Sequence, residues 1–218
     1  MAWVNGNYAA LQDSYLFSQV AHKVAAFAAA HPEMKIIRLG IGDVTLPLAP
    51  AVVEAMQKAV AEMGVKETFR GYEDSGLGYD FLREAIADYY KKNGADVAPE
   101  EVLISDGAKS DCGNIGDILS ADNTVLITDP AYPVYVDANV MGGRKVLFAN
   151  SDESNGFAAM PDKSVHADII YLCSPNNPTG TVYDYDHLKE WVNWANARGA
   201  VILFDAAYES FISEEGLP

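Results

Sequence analysis

Basic residues are scarce in this chain of 218 residues, which contains 15 lysines and arginines but 31 aspartates and glutamates. The net charge of −16 argues against a nucleic-acid-binding protein and against a protein that docks on an anionic membrane, because both functions need basic patches. It does not exclude a small anionic ligand, since a binding site sets its own local field. We therefore expect small-molecule partners, with no nucleic acid and no membrane.

Cysteine is equally rare, and Cys112 and Cys173 are the whole complement. Two cysteines are too few for a disulfide framework, and their spacing is not that of a metal site. No apolar run is long enough to cross a bilayer, and the N-terminus lacks the basic segment of a secretory signal. Together these absences predict a cytoplasmic protein without a metal site.

The sequence also lacks a complete dinucleotide-binding fingerprint. Gly40 and Gly42 form a G-x-G after an apolar run, but the third glycine is missing. Pro47 and Pro50 stand where a helix should open. The pattern therefore argues against a nicotinamide cofactor.

What is present is enough apolar sequence for a sizeable core, because half of the residues are hydrophobic. We predict strands at residues 36–39, 102–104, 124–128, 145–148, 168–172 and 200–204. We predict helices at residues 14–30, 50–63, 79–93 and 186–197, and further helices that begin after Gly107 and after Tyr132. Strands separated by helices predict an α/β fold with a mainly parallel sheet. We expect residues 1–45 to form an N-terminal arm and part of a small domain, and residues 46–218 to form an incomplete large domain.

Two predicted strands end in polar residues that suggest a site. Residues 168–172 lead into the loop S-P-N-N-P-T-G, in which prolines hold the preceding residues extended and Gly180 permits a positive φ. Asn177 would present a rigid amide at the carboxyl end of its strand, where α/β sheets bind ligands. Asp205 ends the last predicted strand, with Tyr208 three residues later. The alternatives are a proline-rich turn without chemistry and a helix-capping aspartate.

The motifs S-P-N-N-P-T-G and F-D-A-A-Y resemble those of the fold-type-I aminotransferases, which use pyridoxal 5′-phosphate (PLP). The resemblance extends to the family of LL-diaminopimelate aminotransferases through the segments G-I-G-D-V-T, D-G-A-K and D-P-A-Y-P-V-Y-V-D. It covers nearly all of this chain but only about the first half of the family's length. It implies a PLP-dependent transferase fold and a homodimer. The implied reaction, part of lysine biosynthesis, transfers the amino group of glutamate to tetrahydrodipicolinate.

The resemblance also implies cofactor-binding residues, and each type suits one part of PLP. A glycine-led helix start and a lysine suit the phosphate, an aromatic ring stacks on the pyridine, and a carboxylate keeps the ring nitrogen protonated. An amide and a phenol suit the phenolic oxygen. The cofactor residues implied are Tyr72, Gly107, Ala108, Lys109, Tyr132, Asn177, Asp205 and Tyr208, with Tyr72 reaching the cofactor of the partner subunit.

The substrate residues that the resemblance implies are Tyr15, Gly42, Lys109, Tyr132 and Asn177. The family's G-P-E-Q-G turn contains a glutamate that reads the distal amino group of the substrate. In this sequence the corresponding turn is one residue longer, which leaves Glu73 and Asp74 as candidates for that role.

The family's Schiff-base lysine lies after the strand that ends in Asp205, but the last lysine of this sequence is Lys189. We therefore expect no catalytic residue within the chain, a Schiff-base lysine beyond Pro218, and no transamination by these 218 residues alone. Two alternatives stay open. One is a class I aminotransferase with another amino-acid substrate, and the other is a non-catalytic protein with the same fold.

Overall fold

A computed structural model describes residues 2–11, 16–39 and 46–218. The contacts divide the chain into two units, one of Met1–Leu11 with Ser105–Pro218 and one of Gln12–Ile104. The domain boundary expected at residue 45 stays a prediction. The expected substrate residues Tyr15 and Gly42 lie outside the described residues, as does the segment G-I-G-D-V-T.

The described part of the chain contains six α-helices and four strands, joined by loops and short 3₁₀ turns. The helices are α1 (Leu16–Ala30), α2 (Pro50–Met63), α3 (Asp80–Lys92), α4 (Ala108–Asn114), α5 (Pro133–Met141) and α6 (Tyr185–Asn196). The strands are β1 (Thr124–Asp129), β2 (Lys145–Asn150), β3 (Ile169–Cys173) and β4 (Val201–Asp205). None of the described helices is long and apolar enough to cross a membrane.

The four strands form one sheet in the order β2-β1-β3-β4, and every pair is parallel. The predicted α/β fold with a mainly parallel sheet is therefore confirmed. From β1 the chain passes through α5 to β2 at one edge, and from β3 it passes through α6 to β4 at the other. The chain thus changes direction between β1 and β3. In parallel sheets, ligands bind beside such a point, outside the carboxyl ends of the strands.

Alternate residues of the central strands face opposite sides of the sheet, and each side has its own core. Ile170 and Leu172 of β3 pack with Trp191 of α6. Ile169 and Tyr171 of the same strand pack on the other side with Tyr135 of α5 and Cys112 of α4. Both faces of β3 are fully buried, which explains why its sequence is a continuous apolar run rather than an alternating one.

The start of the N-terminal arm is ordered. Residues Gly6–Ala10 form a 3₁₀ turn. The side-chain amides of Asn5 and Asn7 donate to the carbonyl of Met141, at the end of α5, over 3.0 and 3.3 Å. These hydrogen bonds attach the arm to the unit that contains the sheet.

In the other unit, Arg83 joins the start of α3 to the loop that follows the helix. Its guanidinium donates to the carbonyls of Gly78 and Pro99 over 3.0 Å each, and it forms an ion pair with Asp80. Gly78 has a φ of 103°, and a Cβ there would lie 2.4 Å from Cγ1 of Ile104. A glycine is therefore required at this position, both by the backbone conformation and by the contact.

Two predicted strands are wrong. Residues 36–39 and 102–104 adopt no strand in the structure. Apolar residues form a strand only where a neighbouring backbone completes the ladder. Leu39 and Leu103 are instead 90% and 70% exposed, and the N–H of Ile104 donates to the carbonyl of Leu77 over 2.8 Å.

Candidate active site

The candidate site is a cavity of about 190 Å³ at the carboxyl edge of the sheet. Tyr132 reaches it from the loop after β1, Asn177 from the loop after β3, and Asp205 from the end of β4. The start of α4 completes the wall. The residues that line the cavity are Ala108, Lys109, Tyr132, Tyr135, Cys173, Asn177, Asp205, Ala207 and Tyr208.

Six of the eight cofactor residues expected from the sequence line this cavity, namely Ala108, Lys109, Tyr132, Asn177, Asp205 and Tyr208. Gly107 is not among the lining residues, although it directly precedes them. Tyr72 belongs to the other unit and is 98% exposed. The structure thus brings the expected ring-side and phosphate-side residues together, whereas their roles as cofactor ligands stay predictions.

The carboxylate of Asp205 accepts three hydrogen bonds at the cavity. Its Oδ2 accepts from the hydroxyl of Tyr135 at 2.6 Å and from the thiol of Cys112 at 3.7 Å. Its Oδ1 accepts from the backbone N–H of Ala207 at 3.0 Å. Because a carboxylate has about four acceptor positions, these three donors leave room for about one more.

Both side-chain donors to Asp205 are held in their protonated forms. Burial, and then the hydrogen bond to Asp205, raise the pKa of Tyr135 far above its usual range. Burial, and then the negative charge of Asp205, raise the pKa of the Cys112 thiol to about 12. At neutral pH the carboxylate therefore accepts from two neutral donors, and neither competes with it as an anion.

The loop that carries Asn177 is fixed at both ends. The N–H of Ser174 donates to the backbone carbonyl of Asp205 over 3.0 Å, which ties the start of the loop to β4. The amide of Asn176 donates to the carbonyl of Pro130 over 3.1 Å and to Thr179 over 2.8 Å. Gly180 has a φ of 75°, so the predicted left-handed exit is confirmed. These contacts hold the side chain of Asn177 at the cavity.

The residues expected to bind the cofactor phosphate lie at the start of α4. Gly107 precedes this helix with a φ of 138°, a conformation that favours glycine. A Cβ at Gly107 would meet nothing within 4 Å, so in this structure the backbone conformation, rather than close packing, requires the glycine. Lys109, two residues later, brings a positive charge to the cavity.

Aromatic rings form another part of the wall. Tyr132 precedes the first residue of α5, and its ring meets that of Tyr135 edge to face, with centroids 5.8 Å apart. The ring of Tyr135 in turn stacks on that of Tyr171, which is buried in the core, with centroids 4.9 Å apart. Tyr208, three residues after Asp205, also lines the cavity and is 42% exposed. The rings of Tyr132 and Tyr208 are thus available to a flat ligand.

Sequence reasoning missed Tyr135, Cys173, Ala207 and Cys112. A signal existed for Tyr135, because it lies three residues after Tyr132 and helix neighbours at that spacing share a face. Cys173 pairs in register with Asp205, which no local pattern could predict. Cys112 contacts Asp205 across a separation of 93 residues, which only the fold reveals.

Glu73 and Asp74, the candidates for reading the substrate's distal amino group, lie in the unit that does not contain the cavity. The carboxylate of Glu73 accepts the N–H of Ser75 at 2.7 Å and that of Gly78 at 3.3 Å. The hydroxyl and N–H of Ser75 lower the pKa of Glu73. Glu73 therefore stabilises its own turn, and its role toward a substrate stays a prediction.

The sequence of this chain is similar to that of a known protein family. Residues 34–217 match the family described as aminotransferase class I and II. The chain belongs to this family. The match includes β1 to β4 and every residue that lines the cavity.

Relatives within the family resemble this chain along its whole length. An LL-diaminopimelate aminotransferase from Lachnospira eligens is 53% identical over 99% of this chain and 56% of its own length. One from Parabacteroides distasonis is 52% identical over 100% of this chain and 56% of its own. The solved structure of L,L-diaminopimelate aminotransferase from Chlamydomonas reinhardtii has a TM-score of 0.88 and 36% identity, and covers 100% of this chain and 55% of that one. The chain therefore spans little more than half the length of the relatives it matches.

Proposed function

We propose that this chain is the PLP-binding part of an LL-diaminopimelate aminotransferase. The reaction would move the amino group of glutamate to tetrahydrodipicolinate and give LL-diaminopimelate and 2-oxoglutarate. The observation that carries the proposal is identity above 50% with such enzymes over the whole chain. The cavity at the carboxyl edge of the sheet supports it independently, because its donor set suits the proposed cofactor.

The fit rests on the charges at the cavity. A positive charge, Lys109, comes from the start of α4, and a negative charge, Asp205, from the end of β4. PLP carries an anionic phosphate on one side of its ring and a basic nitrogen in the ring. Phosphate groups bind at helix N-termini and lysines, and a protonated ring nitrogen binds a carboxylate. The described residues therefore fit this group.

Six of the lining residues, together with Gly107, would then bind the cofactor. Lys109, with Gly107 and Ala108, would hold the phosphate. Tyr132 would stack on the ring, and Asn177 and Tyr208 would donate to its phenolic oxygen. Asp205 would keep the ring nitrogen protonated. When bound, the cofactor supplies an electron sink that stabilises a carbanion at the substrate Cα.

Lys109 is the one lysine among the residues that line the cavity in the described part of the chain. We propose that it serves the phosphate and that it is not the catalytic lysine. An amine that moves a proton must come within hydrogen-bond reach of the reacting carbon. A lysine placed at the phosphate cannot meet this requirement.

Substrate binding and assembly complete the proposal. Tyr15, Gly42, Lys109, Tyr132 and Asn177 are proposed to contact the amino-acid and keto-acid substrates. We also propose a cytoplasmic homodimer in which Tyr72 binds the cofactor phosphate of the partner subunit. The near-complete exposure of Tyr72 is compatible with this role, and both cysteines are free thiols, as a reducing compartment requires.

The test is an amino-donor panel with the complete gene product that contains this chain. LL-diaminopimelate should support the conversion of 2-oxoglutarate to glutamate, whereas aspartate, alanine and lysine should support it poorly. Preference for another donor would favour an aminotransferase of different specificity. Binding of PLP without transfer from any donor would favour a non-catalytic protein with this fold.

A further inference from the structure

The carboxylate of Asp205 is held by two side chains that come from two other elements. Tyr135 belongs to α5 and Cys112 to α4, and both donate to the same oxygen, Oδ2, over 2.6 and 3.7 Å. Tyr135 lines the cavity, whereas Cys112 is not among the lining residues. The two donors therefore come from two different helices, and only one of them borders the cavity.

We propose that Tyr135 and Cys112 are positioning residues, which orient the Asp205 carboxylate toward the ring nitrogen of the cofactor. This inference rests on the proposed function, because it assumes that Asp205 faces that nitrogen. A carboxylate at the end of a strand can rotate about its side-chain bonds. Two fixed donors on Oδ2, with the Ala207 N–H on Oδ1, remove this freedom and hold the one remaining acceptor position in a single direction.

Packing fixes the donors themselves. Tyr135 is 2% exposed, and its ring stacks on that of Tyr171, with centroids 4.9 Å apart. Cys112 packs against the same core, and the hydroxyl of Tyr171 donates to the carbonyl of Cys112 over 3.4 Å. Tyr171 therefore contacts both donors from β3, directly beside β4. Because Tyr135, Cys112 and Tyr171 pack against one another, none of these side chains can move independently. Their contacts therefore differ from an incidental contact at the surface.

The protonation states of the two donors support the same role. Burial raises the pKa of both Tyr135 and Cys112, so both groups keep their protons across the working pH range. A thiolate at Cys112 would repel Asp205 and turn the carboxylate away. As a thiol, Cys112 acts as a small, weak donor that a serine hydroxyl can replace.

The test compares two ligands that differ only at the ring nitrogen. Pyridoxamine 5′-phosphate has no aldehyde and binds without a covalent bond to lysine, and in its 1-deaza analogue carbon replaces the nitrogen. The ratio of their dissociation constants, measured by calorimetry, reports the contact between Asp205 and the nitrogen alone. In the wild type we expect pyridoxamine 5′-phosphate to bind about tenfold or more tightly than the analogue, as for a hydrogen bond to a charged group.

Tyr135→Phe should reduce this preference about fivefold, the size of a typical coupling between neighbouring groups. Cys112→Ala should reduce it in the same direction, and Cys112→Ser should restore it, because serine keeps a donor. Tyr183→Phe is the matched control. It also removes a buried tyrosine hydroxyl, here one that donates to Ala159 over 2.9 Å, and should leave the preference unchanged.

The outcomes separate the inference from the proposed function. A preference that stays the same or rises in Tyr135→Phe and Cys112→Ala would overturn the positioning role, even if both ligands bind more weakly. If Tyr135→Phe does not fold, the pair of Cys112 variants decides. A wild type that binds neither ligand would overturn the proposed function, and this inference with it. A wild type that binds both equally would show that Asp205 does not contact the nitrogen, which overturns this inference and the role proposed for Asp205 but leaves the cavity as the binding site of the cofactor.

Discussion

The buried carbonyl of Ala159 offers a quantitative test of how two side chains satisfy one acceptor in the core. This carbonyl accepts two hydrogen bonds, from the hydroxyl of Tyr183 at 2.9 Å and from the indole N–H of Trp191 at 3.1 Å. Ala159 is 1% exposed, so bulk water does not reach its carbonyl in the wild-type chain. Tyr183 also donates its backbone N–H to the hydroxyl of Ser174 over 3.0 Å, at the start of the loop.

The two donors should compensate for each other. Tyr183→Phe alone should lower the free energy of unfolding by about 0.5–1.5 kcal/mol, because Trp191 still satisfies the carbonyl. Trp191→Phe alone should lower it by about 1–3 kcal/mol, mainly through lost volume in the core. The double variant leaves the carbonyl without a partner, so it should lose about 1–2 kcal/mol more than the sum of the single changes.

Urea unfolding of the four proteins, followed by circular dichroism, measures this coupling. The matched control pairs Tyr183→Phe with Trp194→Phe, whose indole donates to a different carbonyl, that of Asp162, over 3.1 Å. The control pair should be additive within about 0.5 kcal/mol. Additivity in the pair of Tyr183 and Trp191 as well would refute the reasoning, because the carbonyl could not then depend on the two donors.

Three further predictions concern other parts of the chain. Gly78→Ala should lower the free energy of unfolding by about 2–4 kcal/mol, because the position has a positive φ and the new Cβ clashes with Ile104. The control Gly76→Ala should lower it by about 1 kcal/mol, because this position has a φ of 73° but no atom within 4 Å of the new Cβ. Equal losses of the two variants in thermal unfolding would contradict this prediction. Cys112 should react with iodoacetamide at pH 8 roughly a thousandfold more slowly in the folded than in the unfolded chain, because a pKa of about 12 instead of 9.0 leaves that much less thiolate. The free energy of unfolding should fall for the same reason as the pH rises from 9.0 to about 12, since the thiol of the unfolded chain loses its proton first. Equal rates of alkylation of Cys112 in the folded and unfolded chains, measured by peptide mapping, would contradict a buried, protonated thiol. Finally, mixing Tyr72→Phe with Lys109→Ala in the complete gene product should restore amino transfer in heterodimers, and heterodimers without activity would count against a shared site.

The sheet was predictable because its strands are continuous apolar runs with helices between them. Residues 124–129, 145–150, 169–173 and 201–205 became strands within about one or two residues of the predicted bounds. The runs at 36–39 and 102–104 looked similar in sequence but have no ladder in the structure. Strand propensity says that a segment suits a pleated surface, and only the fold decides whether a neighbouring strand is present.

The candidate site was predictable to the extent that its residues follow strands directly. Asn177 and Asp205 belong to neighbouring parallel strands, so their convergence on one edge follows from the topology. Tyr135 and Cys112 could not be found in this way, because each reaches Asp205 from a helix at a separation of 70 or 93 residues. Contacts of this kind depend on how helices pack on the sheet, and no local pattern in the sequence records them.

The central claim is that this cavity holds the cofactor. Its most direct test is the affinity for pyridoxamine 5′-phosphate after the charge of Lys109 or of Asp205 is removed. Lys109→Ala and Asp205→Asn should each weaken binding by about tenfold or more, as expected for the loss of a charged hydrogen-bond partner. The matched controls are Lys163→Ala and Asp168→Asn. Lys163 is exposed and does not line the cavity, and Asp168 directly precedes β3, at the amino end of the strand rather than at the carboxyl end. Both controls should bind like the wild type. Wild-type affinity in the Lys109 and Asp205 variants would contradict the account, because the cavity could not then be the site that holds the cofactor.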